Sequence, residues 1–452
     1  MRLAFHTLGC KVNQYETEAM KEQFSAAGYE IVGEEDIADV YIINTCTVTN
    51  LADRKSRQYI RRMKKQSPEA IVAVTGCYAQ VSPEDLTAME EVNIVAGTGE
   101  KNNLLAYVEE FRQKRESQLH IKTYDELTEY TDKGIITSME SRTRAYIKIQ
   151  EGCNRFCAYC LIPFARGHVR SRNPEEVVEE AKALVAAGFK EVILTGINTA
   201  LYGTEENFPW PLTEEEKAAG MSGIEIIISR INALPGEFRI RLSSLEPTVV
   251  NAEYVKRLMQ YEKLCPHLHL SIQSGSTNVL KLMNRRYDRD EYLEIVRVLK
   301  ERDPGYGITT DIIAGFPGET EEDFLDSIDM IQQAGFCKVH GFRYSKRPGT
   351  AAASMKGHLD GNTKNDRITR LLAAGEEAAK AFFAGELERG GQRTVLFEEW
   401  AESEDGERLL TGYTENYIKV YAEGAGEHLN SFQKVRLLEE YKDGMKGEII
   451  NG

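Results

Sequence analysis

Three cysteines lie within eight residues in the middle of the chain, with the spacing C-x3-C-x2-C: Cys153, Cys157 and Cys160, in EGCNRFCAYC. A closed structural zinc site uses four ligands, usually as two pairs that lie well apart in sequence. Three thiolates close together are better suited to an iron–sulfur cube, in which they hold three irons and leave the fourth open to another ligand. A zinc site completed by His168 or Cys265 is the alternative.

A second set of three cysteines, Cys10, Cys46 and Cys77, has no local motif. Each follows an apolar, strand-like segment and precedes helix-like sequence, in RLAFHTLGC, VYIINTC and AIVAVTGC. Because the carboxyl ends of parallel strands meet at one edge of a sheet, these thiols are expected to converge there and could hold a second cluster. The alternative is that they are small buried residues, which is the role predicted for Cys265 and Cys337.

The elements that position these cysteines form three blocks. Up to about Tyr130, strands alternate with helices, which predicts a parallel βα sheet. A polar connector, KTYDELTEYTDKGIITSMESRTR, leads to six further strand-like segments: AYIKIQ, EVILTG, FRIRLSS, LHLSIQS, ITTDIIAG and KVHGFRYS. Six βα units predict an open, partial barrel, with Cys153, Cys157 and Cys160 at the carboxyl end of its first strand.

The third block begins with a helical segment around Asp366 to Arg389. After it, RTVLFEEW, YIKVYAE and FQKVRLLEEY alternate at period two, which predicts a small antiparallel β-barrel. The predicted fold class is therefore α/β, with domains over residues 1–125, 139–370 and 373–452.

Composition and charge limit the cellular location and the kinds of partner that the sequence fits. The 452 residues are 42% hydrophobic, and no apolar run is long enough to cross a bilayer. The N-terminal sequence does not resemble a secretory signal, so a cytoplasmic location and reduced cysteines are expected. A net charge of −15 argues against coating a nucleic acid non-specifically, although it does not exclude a local basic patch.

The cysteine spacing, with Tyr159 before the third cysteine and six βα units, resembles the radical S-adenosylmethionine superfamily. The resemblance implies that the open iron binds S-adenosylmethionine, which is cleaved on reduction to a 5′-deoxyadenosyl radical. Four segments at successive strand ends resemble the cofactor-binding segments of that superfamily: LTGIN, RLSSLEP, LSIQSGS and DIIAGFPGE. The implied cofactor-binding residues are Tyr159, Thr195, Gly196, Ser243, Ser244, Glu246, Gln273 and Gly315. A histidine is expected after TGI, where this chain has Asn198.

Segments TLGCKVNQYETE, NTCTVTNLADRKSR and VTGCYAQ are similar to the N-terminal domain of the methylthiotransferases. The resemblance implies two [4Fe–4S] clusters, on Cys153, Cys157 and Cys160 and on Cys10, Cys46 and Cys77, and a C-terminal TRAM domain. TLGCKVN resembles the MtaB type, which implies transfer of a methylthio group to carbon 2 of N6-threonylcarbamoyladenosine next to the anticodon in tRNA. The first cluster would generate the radical, and the second would present the sulfur. No flavin or nicotinamide motif is present, so an external low-potential electron donor is expected.

A basic segment, DRKSRQYIRRMKKQ, could contact the RNA. It has seven basic residues from Arg54 to Lys65, and four share one helix face: Arg54, Arg57, Arg61 and Lys65. Binding of phosphates is the functional interpretation, and a solvated helix face is the alternative. Three arginines after the Cys160 loop could extend the patch: Arg166, Arg170 and Arg172. From Gly390 on, the C-terminal block has seven basic and thirteen acidic residues, and its tyrosines Tyr413, Tyr417 and Tyr421 are predicted to be core.

Three other functions remain open. The first is a methylthiotransferase that acts on a ribosomal protein side chain, and the second is a non-catalytic iron–sulfur or zinc protein that binds RNA. The third is a radical enzyme in which Cys10, Cys46 and Cys77 are only core residues. That enzyme would hold about four irons per chain rather than about eight.

Overall fold

The first domain is built on a six-stranded sheet whose central strands are buried on both faces. The computed structural model of the protein describes residues 1–47, 50–131, 143–206, 208 and 210–450. The strand order is β2-β1-β3-β4-β5-β6, and all neighbours run parallel. The strands are β1 (Arg2–Thr7), β2 (Glu30–Val32), β3 (Val40–Thr45), β4 (Ile71–Gly76), β5 (Ile94–Ala96) and β6 (Gln118–His120). One apolar cluster covers each face, as expected for strands with continuous hydrophobic runs.

The helices of this domain are α1 (Lys11–Ala26), α2 (Asn50–Gln66), α3 (Cys77–Val81), α4 (Pro83–Thr87) and α5 (Leu104–Lys114). The predicted parallel sheet is confirmed, and the three strands predicted from the sequence are β1, β3 and β4. The other strands have three residues each. So short a segment lacks the apolar run from which a strand is predicted.

The second domain is the predicted partial barrel. Its strands are β7 (Arg144–Glu151), β8 (Arg170–Ser171), β9 (Glu191–Gly196), β10 (Arg239–Leu242), β11 (His267–His269), β12 (Gly307–Ala314) and β13 (Lys338–Arg343). They form two sheets, β10-β9-β7-β8 and β11-β12-β13. Two parallel bridges, Ile240 to Leu264 and Leu245 to Leu270, join the sheets. Apart from the short antiparallel β8, the strands are the six predicted from the sequence.

The helices of this domain are α6 (Ile162–Arg166), α7 (Pro174–Ala186), α8 (Glu214–Ala218), α9 (Ile224–Asn232), α10 (Ala252–Leu258), α11 (Thr277–Leu282), α12 (Arg289–Arg302) and α13 (Glu321–Ala334). Helix α7 packs on β7 and β9, and α9 packs on β10, whereas α6 contacts α3 of the first domain. The predicted connector at residues 122–144 lies partly outside the described residues, as does the predicted domain start at residue 139. The predicted boundary at residues 370–373 falls within one continuous helix, α14 (Gly361–Glu388).

The third domain is a closed barrel in the order β14-β15-β16-β18-β17. Its strands are β14 (Gln392–Glu402), β15 (Arg408–Thr414), β16 (Lys419–Ala422), β17 (Ser431–Tyr441) and β18 (Gly444–Ile449). All neighbours are antiparallel except β16 and β18, which run parallel and close the barrel. Strands β15 and β18 were not predicted, because glycines interrupt their alternation of apolar and polar residues.

The third domain closes the amino-terminal end of the second-domain barrel. Arg241 Nη2 donates to the backbone oxygen of Thr414 at 3.2 Å, and Arg241 Nε lies 3.0 Å from Glu191 Oε1. Nearby, Tyr417 stacks on His267 with ring centroids 4.3 Å apart. Both β9 and β11 begin at these contacts, so the bottom of the barrel is sealed by the β15–β16 turn.

The first domain packs against the second through α1, which contacts β7 and β9. A buried ion-pair cluster joins them: Glu16 on α1 contacts Lys101, Lys148 and Arg166, and none of the four is more than 4% exposed. Burial alone would raise the pKa of Glu16, but the three cations hold it well below its ordinary value. In the described part of the chain, no helix is both long and apolar enough to cross a membrane.

Candidate cluster sites and the cavity beside Cys10

The loop after β7 carries the first cysteine set. It begins at Gly152, whose φ is +74°, and a Cβ there would lie 1.7 Å from the backbone oxygen of His168. Only glycine therefore allows the loop to turn so close to that backbone. Further along, the backbone N–H of Cys160 donates to the oxygen of Cys157 at 2.9 Å, which closes a tight turn. The sequence spacing thus becomes a single compact loop at the carboxyl end of the strand.

Hydrogen-bond donors already face two of these sulfurs. Arg285 Nη1 lies 3.2 Å from Cys157 Sγ, and the backbone N–H of Ile162 lies 3.4 Å from Cys160 Sγ. Burial raises the pKa of Cys153 to about 11 and raises that of Cys160 as well. Metal binding would have to displace these protons, and the donors then stabilise the thiolates that result.

The candidate S-adenosylmethionine residues fall into two groups. One group lines a cavity of about 600 Å³: Thr195, Gly196, Ser243 and Ser244. Gly9 and Cys10 line the same cavity from the first domain. The other group lies at neighbouring strand ends or in the cysteine loop, outside the cavity lining: Tyr159, Glu246, Gln273 and Gly315. The structure therefore brings half of the candidates next to a cysteine of the second set.

Two residues of the second group, Gln273 and Gly315, have a positive φ. Gln273 has φ +70°, a left-handed conformation that few side chains adopt without a reason. Gly315 has φ +77°, and a Cβ there would lie 2.4 Å from Lys364 Cγ. Tyr159 is fixed by an edge contact with Phe316, at 6.4 Å between ring centroids. These contacts shape the strand ends around the first cysteine loop.

Asn198, the departure from the expected histidine, holds Glu246 in place. Its Nδ2 donates to Glu246 Oε2 at 2.7 Å, and Arg155 Nε donates to the same oxygen at 2.9 Å. Arg285 Nη1 lies 3.4 Å from the other carboxylate oxygen. Asn198 Oδ1 and Ser243 Oγ are buried and have no hydrogen-bond partner among the described residues. Since buried polar atoms are normally paired, these two fit a polar ligand such as S-adenosylmethionine.

The second cysteine set lies at the carboxyl edge of the first-domain sheet, where the sequence placed it. Thr45 and Gly76 are paired at the ends of β3 and β4, so Cys46 and Cys77 follow at the same level. Gly76 has φ +96°, and a Cβ there would lie 2.4 Å from the backbone oxygen of Thr45. Glycine is therefore required for the two strand ends to approach so closely.

The first cysteine of this set is brought in by the loop after β1. A Cβ on Gly9 would lie 3.1 Å from Cys46 Sγ, so the Gly9–Cys10 backbone passes directly beside that sulfur. On the other side, Arg166 Nε donates to Cys77 Sγ at 3.2 Å. Cys10 is exposed, whereas Cys46 and Cys77 are buried. An exposed thiol beside two buried ones leaves room for a group bound at the cavity wall.

Neither cysteine set has the geometry of a single-ion site. Among the residues that the structure describes, no three His, Cys, Asp or Glu side chains lie close enough together to hold one metal ion. A [4Fe–4S] cube does not need such convergence, because each cysteine binds a different iron. Three cysteines around one loop, or along one sheet edge, fit that requirement.

The basic helix α2 begins after the Cys46 loop. Arg54, Arg61 and Lys65 are exposed, and Arg57 is half-buried with its Nη1 2.5 Å from the Tyr78 hydroxyl. Three of the four predicted phosphate contacts are therefore exposed, and one of these, Arg61, has its Nε 3.8 Å from Glu91 Oε1.

The extension of this basic patch to Arg166, Arg170 and Arg172 was wrong. They are 0%, 5% and 2% exposed. Arg170 Nη1 donates to the backbone oxygen of Leu127 at 2.5 Å, and Arg172 pairs with Glu180. Residues so deeply buried and paired cannot reach RNA.

Other sequence expectations can be placed in the core. Tyr421 is 4% exposed, as predicted for a core residue. Tyr413 and Tyr417 are half-buried and stack with ring centroids 4.9 Å apart, and Tyr417 lines the cavity, so the prediction that it is a core residue was wrong. Cys265 and Cys337 are buried, and burial raises their pKa values to about 11 and about 12.

Two known families match separate parts of the chain, and each part carries one cysteine set. Residues 2–97 match the Uncharacterized protein family UPF0004, and residues 147–331 match the Radical SAM superfamily. The Threonylcarbamoyladenosine tRNA methylthiotransferase MtaB of Bacillus subtilis (strain 168) is 42% identical over 97% of this chain and 94% of that protein. This chain belongs to the MtaB-type methylthiotransferase family. Each family match contains one of the two cysteine sets.

Other similarities are weaker. The tRNA-2-methylthio-N(6)-dimethylallyladenosine synthase of Clostridium botulinum (strain Eklund 17B / Type B) is 33% identical over 98% of this chain and 94% of that protein. The radical S-adenosylmethionine methyltransferase TsrM from Kitasatospora setae has a TM-score of 0.56 at 14% identity, covering 78% of this chain and 76% of that one. This last likeness concerns the fold alone.

The MtaB-type sequence also contains cavity residues that were not singled out above: Lys11, Arg241, His267, His269 and His340. Lys11 directly follows Cys10 in TLGCKVN, so its position beside a candidate ligand was a usable signal. The histidines alternate with apolar residues on barrel strands, which predicts one common face but not that this face lines a cavity.

Proposed function

We propose that this protein transfers a methylthio group to carbon 2 of N6-threonylcarbamoyladenosine next to the anticodon in tRNA. The observation that carries the proposal is the single cavity bounded by Cys10 of the first domain and by the strand ends Thr195 and Ser243 of the second. Near-full-length similarity to a named threonylcarbamoyladenosine tRNA methylthiotransferase supports the substrate.

In this proposal, one [4Fe–4S] cluster is held by Cys153, Cys157 and Cys160 and a second by Cys10, Cys46 and Cys77. When bound, the clusters and S-adenosylmethionine supply the radical that removes the hydrogen from carbon 2 and the sulfur and methyl group that replace it. That hydrogen must leave as an atom, because the carbon–hydrogen bond is not acidic enough for a protein base near neutral pH.

The residues of the chain prepare the site for this chemistry. Arg285 and Arg166 donate to the sulfurs of Cys157 and Cys77, which favours the thiolate forms that metal binding needs. The amide and guanidinium contacts to Glu246 fix the strand ends where S-adenosylmethionine would lie. The β15–β16 turn closes the bottom of the barrel and excludes water from that side.

The tRNA is proposed to contact α2 through Arg54, Arg61 and Lys65, which lie on the helix that follows the Cys46 loop. A tRNA substrate also favours a cytoplasmic location. The electrons for S-adenosylmethionine cleavage are proposed to come from an external low-potential protein donor. Without any reductant, we expect no 5′-deoxyadenosine from the reconstituted protein.

The proposal is tested by nucleoside mass spectrometry. Anaerobically reconstituted protein is incubated with reductant, S-adenosylmethionine and tRNA that carries threonylcarbamoyladenosine; the matched control is the same tRNA without the threonylcarbamoyl group. We expect a methylthio group on the modified nucleoside and none on the control. If 5′-deoxyadenosine forms while both nucleosides stay unchanged, the substrate assignment is wrong, and ribosomal proteins become the substrates to test.

A further inference from the structure

The cavity lined by Cys10 and by the second-domain strand ends contains more basic than acidic side chains. Two of its lining residues are basic, Lys11 and Arg241, and the acidic lining residue is Asp311. Asp311 Oδ2 lies 3.1 Å from His269 Nε2 and accepts from Ser271 Oγ at 3.0 Å, so this carboxylate already has partners.

Arg241 is also satisfied by protein groups. It is 1% exposed, pairs with Glu191, and donates to backbone oxygens of the β15–β16 turn. Burial lowers the pKa values of His267 and His340, so both rings are neutral near pH 7. These groups add no uncompensated charge to the cavity.

Lys11 differs from all of these. Its side chain is half-buried, lines the cavity, and lies 5.9 Å from the centre of the Tyr146 ring. Within the described ranges, no carboxylate forms an ion pair with its ammonium group, and the charges that act on it are those of Arg144 and Arg241 as well as Glu191. A half-buried cation without a counter-ion is costly, and an anionic ligand in the cavity would offset that cost.

We propose that Lys11 binds the carboxylate of the threonylcarbamoyl group and so selects carboxylate-bearing adenosines. This inference rests on the proposed function, since it assigns a recognition residue to the same substrate. Lys11 is adjacent to Cys10, so a base whose carbon 2 faces the second cysteine set carries its N6 substituent within reach of the same wall. RNA phosphates remain outside, because only the extruded base enters such a pocket.

The test compares binding of two synthetic anticodon stem-loop RNAs to the reconstituted protein. One carries N6-threonylcarbamoyladenosine, and the other carries the same group with its carboxylate replaced by a primary amide. Losing a hydrogen bond to a charged group costs roughly 10- to 100-fold in affinity. We therefore expect wild-type protein to prefer the acid by about that factor, and Lys11→Gln to reduce the preference to about threefold or less.

Two variants control the interpretation. Lys11→Arg keeps the charge and should retain a preference of at least about tenfold. Lys21→Gln, on the same helix but paired with Glu18 at 2.9 Å, should leave the wild-type ratio unchanged. Iron content is measured for every variant, so that loss of a cluster is recognised, and Lys11→Met is the second neutral variant if Lys11→Gln loses iron.

An acid-to-amide ratio that is the same in wild type and Lys11→Gln would overturn the inference. The inference would also be wrong if Lys11→Gln weakened the binding of S-adenosylmethionine and not the preference for the acid. Lys11 would then bind the carboxylate of S-adenosylmethionine. The proposed function fails separately: it is wrong if wild-type protein binds the acid but forms no methylthio product.

Discussion

At the scale of single residues, the two cysteine sets differ in what their sulfurs touch. Cys157 lies against Arg285 in the second domain, and Cys77 lies against Arg166 at the boundary with the first. Both contacts are charge-assisted donors to sulfur, which lower the cost of a buried thiolate. The two sets should therefore be separable by mutation, because their supporting groups are different.

Substitution of one cysteine from each set should give different losses. Cys157→Ala should abolish formation of 5′-deoxyadenosine, since it removes a proposed ligand of the radical-forming cluster. Cys46→Ala should retain some uncoupled S-adenosylmethionine cleavage but give no methylthio product. Cys337→Ala, a buried thiol far from both sets, is the control and should keep both products. Chromatography of 5′-deoxyadenosine and of the nucleosides measures these outcomes, and methylthio product from Cys46→Ala would refute the role of the second set.

At the scale of helices and strands, α2 links the Cys46 loop to a basic surface. Arg54→Glu with Arg61→Glu should weaken tRNA binding roughly tenfold or more at physiological salt and should reduce the salt dependence by about 0.7 to 0.9 per lost phosphate contact. Lys182→Glu on α7 is the matched surface control. Binding titrations at several salt concentrations measure both quantities, and an unchanged slope would mean that α2 is only a solvated helix.

Elements with a strong local pattern could be predicted from the sequence. Strands β1, β3 and β4 are continuous apolar runs, and the position of each cysteine after its strand followed directly. The prediction that Arg166, Arg170 and Arg172 lie on the basic surface was wrong, because their burial depends on partners far away in sequence. Arg166 pairs with Glu16, 150 residues distant, and no local pattern carries that information. The position of Lys11 after Cys10 was a usable signal, but its place in the cavity could not be predicted, since the cavity forms only where two domains meet.

At the scale of the whole molecule, the buried cluster around Glu16 holds the first two domains together. Arg166→Met would leave Glu16 and Glu151 short of a cation in the interior, which destabilises a protein by about 3–5 kcal/mol. Arg297→Met, on the exposed face of α12, should have no measurable effect. The midpoint of urea unfolding compares the two variants, and an unchanged midpoint for Arg166→Met would contradict this account.

The same cluster predicts how stability depends on pH. Cations lower the pKa of Glu151 from an ordinary 4.5 to about 2, against the opposing effect of burial, and they lower that of Glu16 in the same way. A carboxyl with a lowered pKa stabilises the fold above its unfolded pKa and loses that contribution as the pH falls. Stability should therefore be constant just above pH 4.5 and decline towards pH 2. Unfolding midpoints across this range test the expectation.

We propose that radical formation and sulfur delivery act on one base in one cavity. The most direct measurement uses tRNA with deuterium at carbon 2 of the threonylcarbamoyladenosine, followed by mass spectrometry of both products. The account predicts that deuterium appears in 5′-deoxyadenosine, one atom for each methylthio nucleoside formed. Methylthio product accompanied only by unlabelled 5′-deoxyadenosine would contradict it.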